Sequence, residues 1–177
     1  MDTAYIHDDH YADFEEYRQH LAPRLGSAPQ QCVVVFKDPV NWLESIAHWG
    51  VRCGWVGTES EVFSGEVWRL WLEEYLHYYG AWAGYASARC DQVHLVQYEA
   101  MVLRPEPTME ALSNFLKRPL SDGARANTSR VAQSSERDAA RLRDDVLSTA
   151  LPPELVGEIY ATAQGFNVGT WYHTDPG

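Results

Sequence analysis

Residues 32–50 read CVVVFKDPVNWLESIAHWG, and this stretch decides the class of fold. Gln31–Phe36 is a continuous β-branched run, bounded by a Pro-containing loop before it and by Lys37-Asp38-Pro39 after it. A short strand buried on both faces has this composition, because neither face needs polar residues. Pro39 opens a helical pattern at the position where its missing N–H costs least, and Gly50 lies near the expected end. A second apolar run, Val93–Tyr98 (VHLVQY), predicts another strand. Between the two lies the longest helical pattern, Glu66–Ala88. Val67, Leu70, Trp71, Tyr75, Tyr78, Trp82 and Tyr85 follow one face of it, and Trp68, Leu72, Leu76 and Tyr79 make the other side apolar too. Such a helix is expected to be largely buried. Alternation of strand and helix predicts a helix-rich α/β domain with a parallel sheet. Two strands are few for such a domain, which is expected to be incomplete as it stands.

The remaining segments fill in a single domain over 1–177. Residues 11–22 predict a short helix stopped by Pro23, and residues 51–64 a Gly-containing loop or short helix. Thr108–Leu116 predicts a helix with Leu112, Phe115 and Leu116 as core contacts. Residues 120–150 are polar, a mixture of loop and solvated helix, and Leu155–Ala163 is a last short helix after Pro152-Pro153.

Composition excludes several classes of function. Hydrophobic residues make up 45% of the chain, enough for a packed core without disulfide or metal staples. The formal net charge of -11 argues against nucleic acid or an anionic membrane as partner, so an anionic ligand needs a local basic pocket. Cys32, Cys53 and Cys90 form no CxxC pair, which suits a reducing compartment, and a cytoplasmic location is expected. The first ten residues are acidic and lack the apolar stretch of a signal peptide. No run approaches 18 apolar residues, so no membrane span is expected.

The chemistry concentrates where the first strand ends. In open α/β sheets, ligands sit outside the carboxyl ends of the strands, where helix N-termini point N–H groups outward. Lys37 at the strand end and Ser45 in the following helix are spaced to converge on one phosphate. Each charge-assisted hydrogen bond of that kind contributes roughly 1.5–3 kcal/mol. A surface lysine beside a turn proline, with Ser45 on an exposed helix face, gives the same pattern.

The segment resembles the 3′-phosphate-binding motif of sulfotransferases that use 3′-phosphoadenosine 5′-phosphosulfate. In that family a strand ends in Arg or Lys, followed by Asp/Asn-Pro and by a Ser eight residues after the base. Lys37-Asp38-Pro39-Val40-Asn41-Trp42 and Ser45 follow this order. A second stretch, VHLVQYEAMVLRPEPTMEALSNFL, is similar to the family's strand-Tyr-Glu segment that leads through a Pro-Glu turn to a helix ending in Phe-Leu. The two matches, with the aromatic helix between them, cover residues 31–117. The resemblance implies a P-loop-like parallel sheet and sulfuryl transfer to a hydroxyl or amine of a small-molecule acceptor. It implies that Lys37 and Ser45 hold the nucleotide 3′-phosphate and that Tyr98 lies near the adenine.

Departures from the family pattern carry weight too. The family opens with a strand and a Ser/Thr-Gly-Thr-rich loop that cradles the 5′-phosphosulfate, and no such element precedes residue 31. The resemblance therefore implies that a preceding segment, a partner chain or an unrecognised substitute supplies that loop, and homo-oligomerisation is one route. Ala100 also stands where the family has an acid. A sulfotransferase His sits in a His-Leu-Pro stretch, and His20-Leu21-Ala22-Pro23 is a loose counterpart that makes His20 the candidate base. A solvent-facing His at a helix end reads the same way. Arg130, in the polar late segment, is the candidate to close over an anionic ligand, against a solvated face with i, i+4 pairs. His7-Asp8-Asp9-His10 reads as a solvated tail, and no metal site is expected. Three functions stay open: a sulfotransferase-like enzyme, a diverged relative without sulfuryl transfer, and an unrelated helical protein with a minor sheet.

Overall fold

A computed structural model of the chain describes residues 14–27, 30–119, 149 and 151–164. The elements in order are α1 (Phe14–Leu25), β1 (Cys32–Phe36), α2 (Pro39–Arg52), α3 (Glu59–Ser64) and α4 (Val67–Ala88). They are followed by β2 (Val93–Gln97), α5 (Tyr98–Leu103), α6 (Pro105–Leu116) and α7 (Pro153–Gln164). The coarse α/β expectation holds: a helix-rich fold carries a parallel two-stranded sheet, β1 beside β2. Parallel neighbours need a long crossover, and α2, α3 and α4 form it.

The aromatic helix α4 joins two apolar clusters. Its first half (Trp68, Leu72, Tyr75, Leu76) packs with Val40, Leu43 and Ala47 of α2, Val62 of α3, and Ile159 and Ala163 of α7. Its second half places Trp82 among Cys32, Val34, Val93 and Phe14. The Phe14 and Tyr17 rings meet Trp82 edge-on at 5.9 and 5.7 Å, which fastens α1 beside the start of β1. Aromatic pairs in such geometry contribute about 0.5–1.5 kcal/mol beyond their burial.

Several expectations shift in detail. Pro23 does not stop α1, which runs to Leu25 and ends at Gly26 with φ 75°. A proline in the last turn forfeits only one backbone hydrogen bond, so the helix tolerates it there. Gly50 lies near the end of α2, two residues before Arg52, and is buried there, with the Trp71 ring 3.1 Å from where a Cβ would stand. Leu70, expected on the buried face of α4, is 61% exposed. β1 is covered on one face only: Cys32, Val34 and Phe36 are buried while Val35 is 45% exposed. Helix α6 starts at Pro105 rather than Thr108, and none of its residues is fully buried. Leu112, Phe115 and Leu116 are half-buried, with Phe115 stacked on His94 of β2 at 5.0 Å. The polar segment 120–148, with Arg130, and the His7–His10 tail lie outside the described residues.

No helix among the described residues is long and apolar enough to cross a membrane. Cys32 is buried, Cys53 and Cys90 are exposed, and all three are free thiols.

Candidate functional site

The register of the sheet builds the site. Phe36 pairs with Gln97, so Lys37 and Tyr98, the next residues, leave the two carboxyl ends side by side. The Lys37 ammonium lies 4.7 Å from the centroid of the Tyr98 ring. It also donates to Ser45 Oγ at 3.0 Å, across the eight residues that the first turns of α2 fold back. Lys37 and Tyr98 are half-buried and Ser45 is exposed, so the cation faces an accessible surface. A cation over an aromatic face contributes about 0.5–1 kcal/mol at such exposure. Cation, hydroxyl and ring together offer a charge and a donor to an anion, with a flat apolar face beside them.

Beneath this surface lies a buried polar layer. Asp38 caps α2: its Oδ1 accepts from the amides of Val40 (2.9 Å) and Asn41 (3.4 Å), and its Oδ2 accepts from the Tyr160 hydroxyl at 3.0 Å. Glu99 Oε1 accepts from the Asp38 amide at 3.0 Å and from Asn41 Nδ2 at 2.8 Å, which ties the start of α5 to the β1–α2 turn. From α4, the Tyr75 hydroxyl donates to the Lys37 carbonyl. Five elements thus meet at the residues flanking Lys37. Burial pushes the Asp38 carboxyl up to about 6; the Tyr160 hydrogen bond opposes this and the Glu99 charge adds to it.

This layer changes one part of the sequence reading. The α2 N-terminus was expected to point free amides at a ligand, yet Val40 and Asn41 already donate to Asp38. Affinity for an anion therefore rests on the side chains of Lys37 and Ser45 rather than on α2 backbone donors.

Three of the five candidate residues come together: Lys37, Ser45 and Tyr98. His20 is exposed on α1, the helix whose Phe14 and Tyr17 pack at the opposite end of β1 from Lys37. Arg130 lies outside the described residues. Sequence reading missed the roles of Asp38, Asn41, Glu99 and Tyr160. A signal existed for Asp38 alone, since an Asp directly before a proline at the first helical position is an N-cap signature. Among the described residues, no group of three His, Cys, Asp or Glu is placed to hold a metal ion.

No family model, curated protein or solved structure matches the chain.

Proposed function

We propose that the chain is a sulfotransferase-like protein that binds 3′-phosphoadenosine 5′-phosphosulfate through its 3′-phosphate. In this reading Lys37 Nζ and Ser45 Oγ hold the phosphate, the Tyr98 ring lies along the adenine, and the two strands belong to a P-loop-like parallel sheet. One observation carries it: the 3.0 Å Lys37–Ser45 contact at the carboxyl end of β1, with Tyr98 beside it at the end of β2. Two side chains eight residues apart and a third sixty-one residues after the first converge on one accessible point, where α/β folds bind ligands. Sulfuryl transfer to a hydroxyl or amine acceptor is the activity that follows, with further donors around the sulfuryl group required to offset charge as the S–O bond breaks.

A second reading is a protein of the same descent that binds ligand without transfer. It is favoured by the occupation of the Val40 and Asn41 amides by Asp38, which leaves fewer donors for an anion than a helix N-terminus ordinarily offers.

Calorimetric titration with 3′-phosphoadenosine 5′-phosphate tests the binding step. Binding weakened by roughly 10-fold or more in Lys37→Ala, and by a smaller factor in Ser45→Ala, is the expected result. Absence of binding at millimolar nucleotide contradicts the first reading and leaves the second ahead. Binding without sulfuryl transfer to any of a panel of small phenols and amines favours the second.

A further inference from the structure

The peptide that follows Lys37 is gripped from two sides. Along β1, Cys32 donates its amide to the Gln92 carbonyl at 2.7 Å, and every second amide after it faces β2. The Asp38 amide continues this alternation, but the register ends with Phe36 opposite Gln97 and the chain turns into α5 at Tyr98. The acceptor there is a side chain: Glu99 Oε1 takes the Asp38 amide at 3.0 Å. One more rung is thus added where the backbone ladder stops.

A peptide unit is rigid and planar, and the one between Lys37 and Asp38 has both polar ends occupied. Its N–H goes to Glu99 of α5, and its C=O accepts from the Tyr75 hydroxyl of α4. Because Glu99 follows Tyr98, this bond ties the residue after the cation to the residue after the ring. Asn41 Nδ2 donates to the same Glu99 oxygen at 2.8 Å and brings the first turn of α2 into the clamp. Glu99 is 7% exposed, and its Oε2 has no hydrogen-bond partner among the described residues. A buried carboxylate left half satisfied costs stability rather than supplying it, so what Glu99 provides is placement. Tyr75 is fully buried, its ring packed on Trp42 and Tyr79 at 5.1 and 4.7 Å, which fixes the hydroxyl it offers.

We infer that Tyr75 and Glu99 are positioning residues for the phosphate contact: by pinning the Lys37–Asp38 peptide at both ends, they hold the root of Lys37 beside Tyr98. This rests on the nucleotide reading of the Lys37 surface given above. A lysine side chain is long, and its freedom is lost when it grips an anion. The head of Lys37 is already held by Ser45 Oγ at 3.0 Å and by the Tyr98 ring at 4.7 Å. With the root fixed as well, little ordering is left to do on binding, and affinity gains accordingly. Releasing either tie lets the end of β1 drift from that of β2, so that cation and ring no longer meet one ligand together.

Two nucleotides that differ only at the 3′-position read this out. 3′-Phosphoadenosine 5′-phosphate can meet Lys37, Ser45 and Tyr98, whereas adenosine 5′-phosphate lacks the 3′-phosphate. NMR titration of the full chain, which reaches millimolar affinities, should show a preference of roughly 10-fold or more for the first in the wild type. Tyr75→Phe, which removes a hydroxyl and keeps the ring, is expected to cut that preference to about three-fold or less, and so is Glu99→Ala. Affinity for adenosine 5′-phosphate should stay within about two-fold of wild type in both, which a general loss of structure would not allow. Glu99→Gln keeps an acceptor for the Asp38 amide and should restore the preference. Should Glu99→Ala fail to fold, Tyr75→Phe decides by the same ratio. A preference that survives in Tyr75→Phe, or a loss of both nucleotides alike, overturns the positioning role; the anion site then still stands if Lys37→Ala abolishes the preference. A preference as low in Glu99→Gln as in Glu99→Ala overturns the part given to Glu99. A wild type that binds neither nucleotide, or both equally, overturns the nucleotide reading and the positioning role with it.

Discussion

The Tyr160 hydroxyl on α7 donates to Asp38 Oδ2 at 3.0 Å, a contact that joins residues 122 positions apart in the chain. It places the C-terminal part of the described fold directly under the turn that carries Lys37. Asp38 spends its other oxygen on the α2 amides, so Tyr160 is what satisfies the remaining face of a buried carboxylate.

Tyr160→Phe removes that donor while keeping the ring. The expected cost is about 1–3 kcal/mol of folding stability, because a buried charged acceptor loses a partner. The cost should be largest above pH 7, where Asp38 is ionised, and should shrink below pH 5. Denaturant melts of the two proteins at pH 5 and 8 check both the size and the direction. An equal cost at both pH values would place the Tyr160 contribution in packing instead.

Stability should itself depend on Asp38. Its carboxyl is held at about 6 in the fold against an ordinary 3.8, so the folded chain binds a proton that the unfolded chain releases. That contribution is fully present below pH 4 and is lost as pH rises through 6. The amount at stake is on the order of 2–3 kcal/mol. Asp38→Asn does not titrate, so its stability relative to wild type should rise by that order between pH 4 and 7.5. A difference that stays constant across the range would show that the Asp38 carboxyl is not elevated.

Thiol chemistry tests the placement of β1. Burial pushes the Cys32 thiol up to about 11, so little thiolate exists at neutral pH, whereas Cys53 and Cys90 are exposed. Alkylation at pH 8 followed by mass spectrometry should show two rapid additions, on Cys53 and Cys90, and a third only with denaturant. Rapid native labelling of Cys32 would contradict a β1 packed against Trp82.

Part of this fold was legible from local chemistry. CVVVF and VHLVQ declare their strands through β-branched runs, and Val67–Ala88 declares a long helix, although only one side of it is buried. Helix ends were partly legible: Gly50 falls two residues before the end of α2, whereas α1 runs past the stop signal of Pro23. Pro23 falls where one missing N–H is cheap, and at Gly50 a Cβ would stand 3.1 Å from the Trp71 ring, tighter than an ordinary contact. Leu70 groups with the buried aromatics in the sequence pattern, yet it shares a helical strip with Glu73, Glu74 and His77, and that strip is exposed. Lys37 and Ser45 could be paired because helical spacing folds eight residues back on themselves. Glu99 with Asp38 and Tyr160 with Asp38 could not, since their sequence separations of 61 and 122 carry no local signal.

The most direct measurement of the central claim is a crystal structure of the chain soaked with 3′-phosphoadenosine 5′-phosphate. The expected result is a phosphate within hydrogen-bonding distance of both Lys37 Nζ and Ser45 Oγ, with the adenine along Tyr98. Nucleotide bound elsewhere, or an empty Lys37–Ser45 surface at millimolar nucleotide with no neighbouring molecule blocking it, would contradict the account.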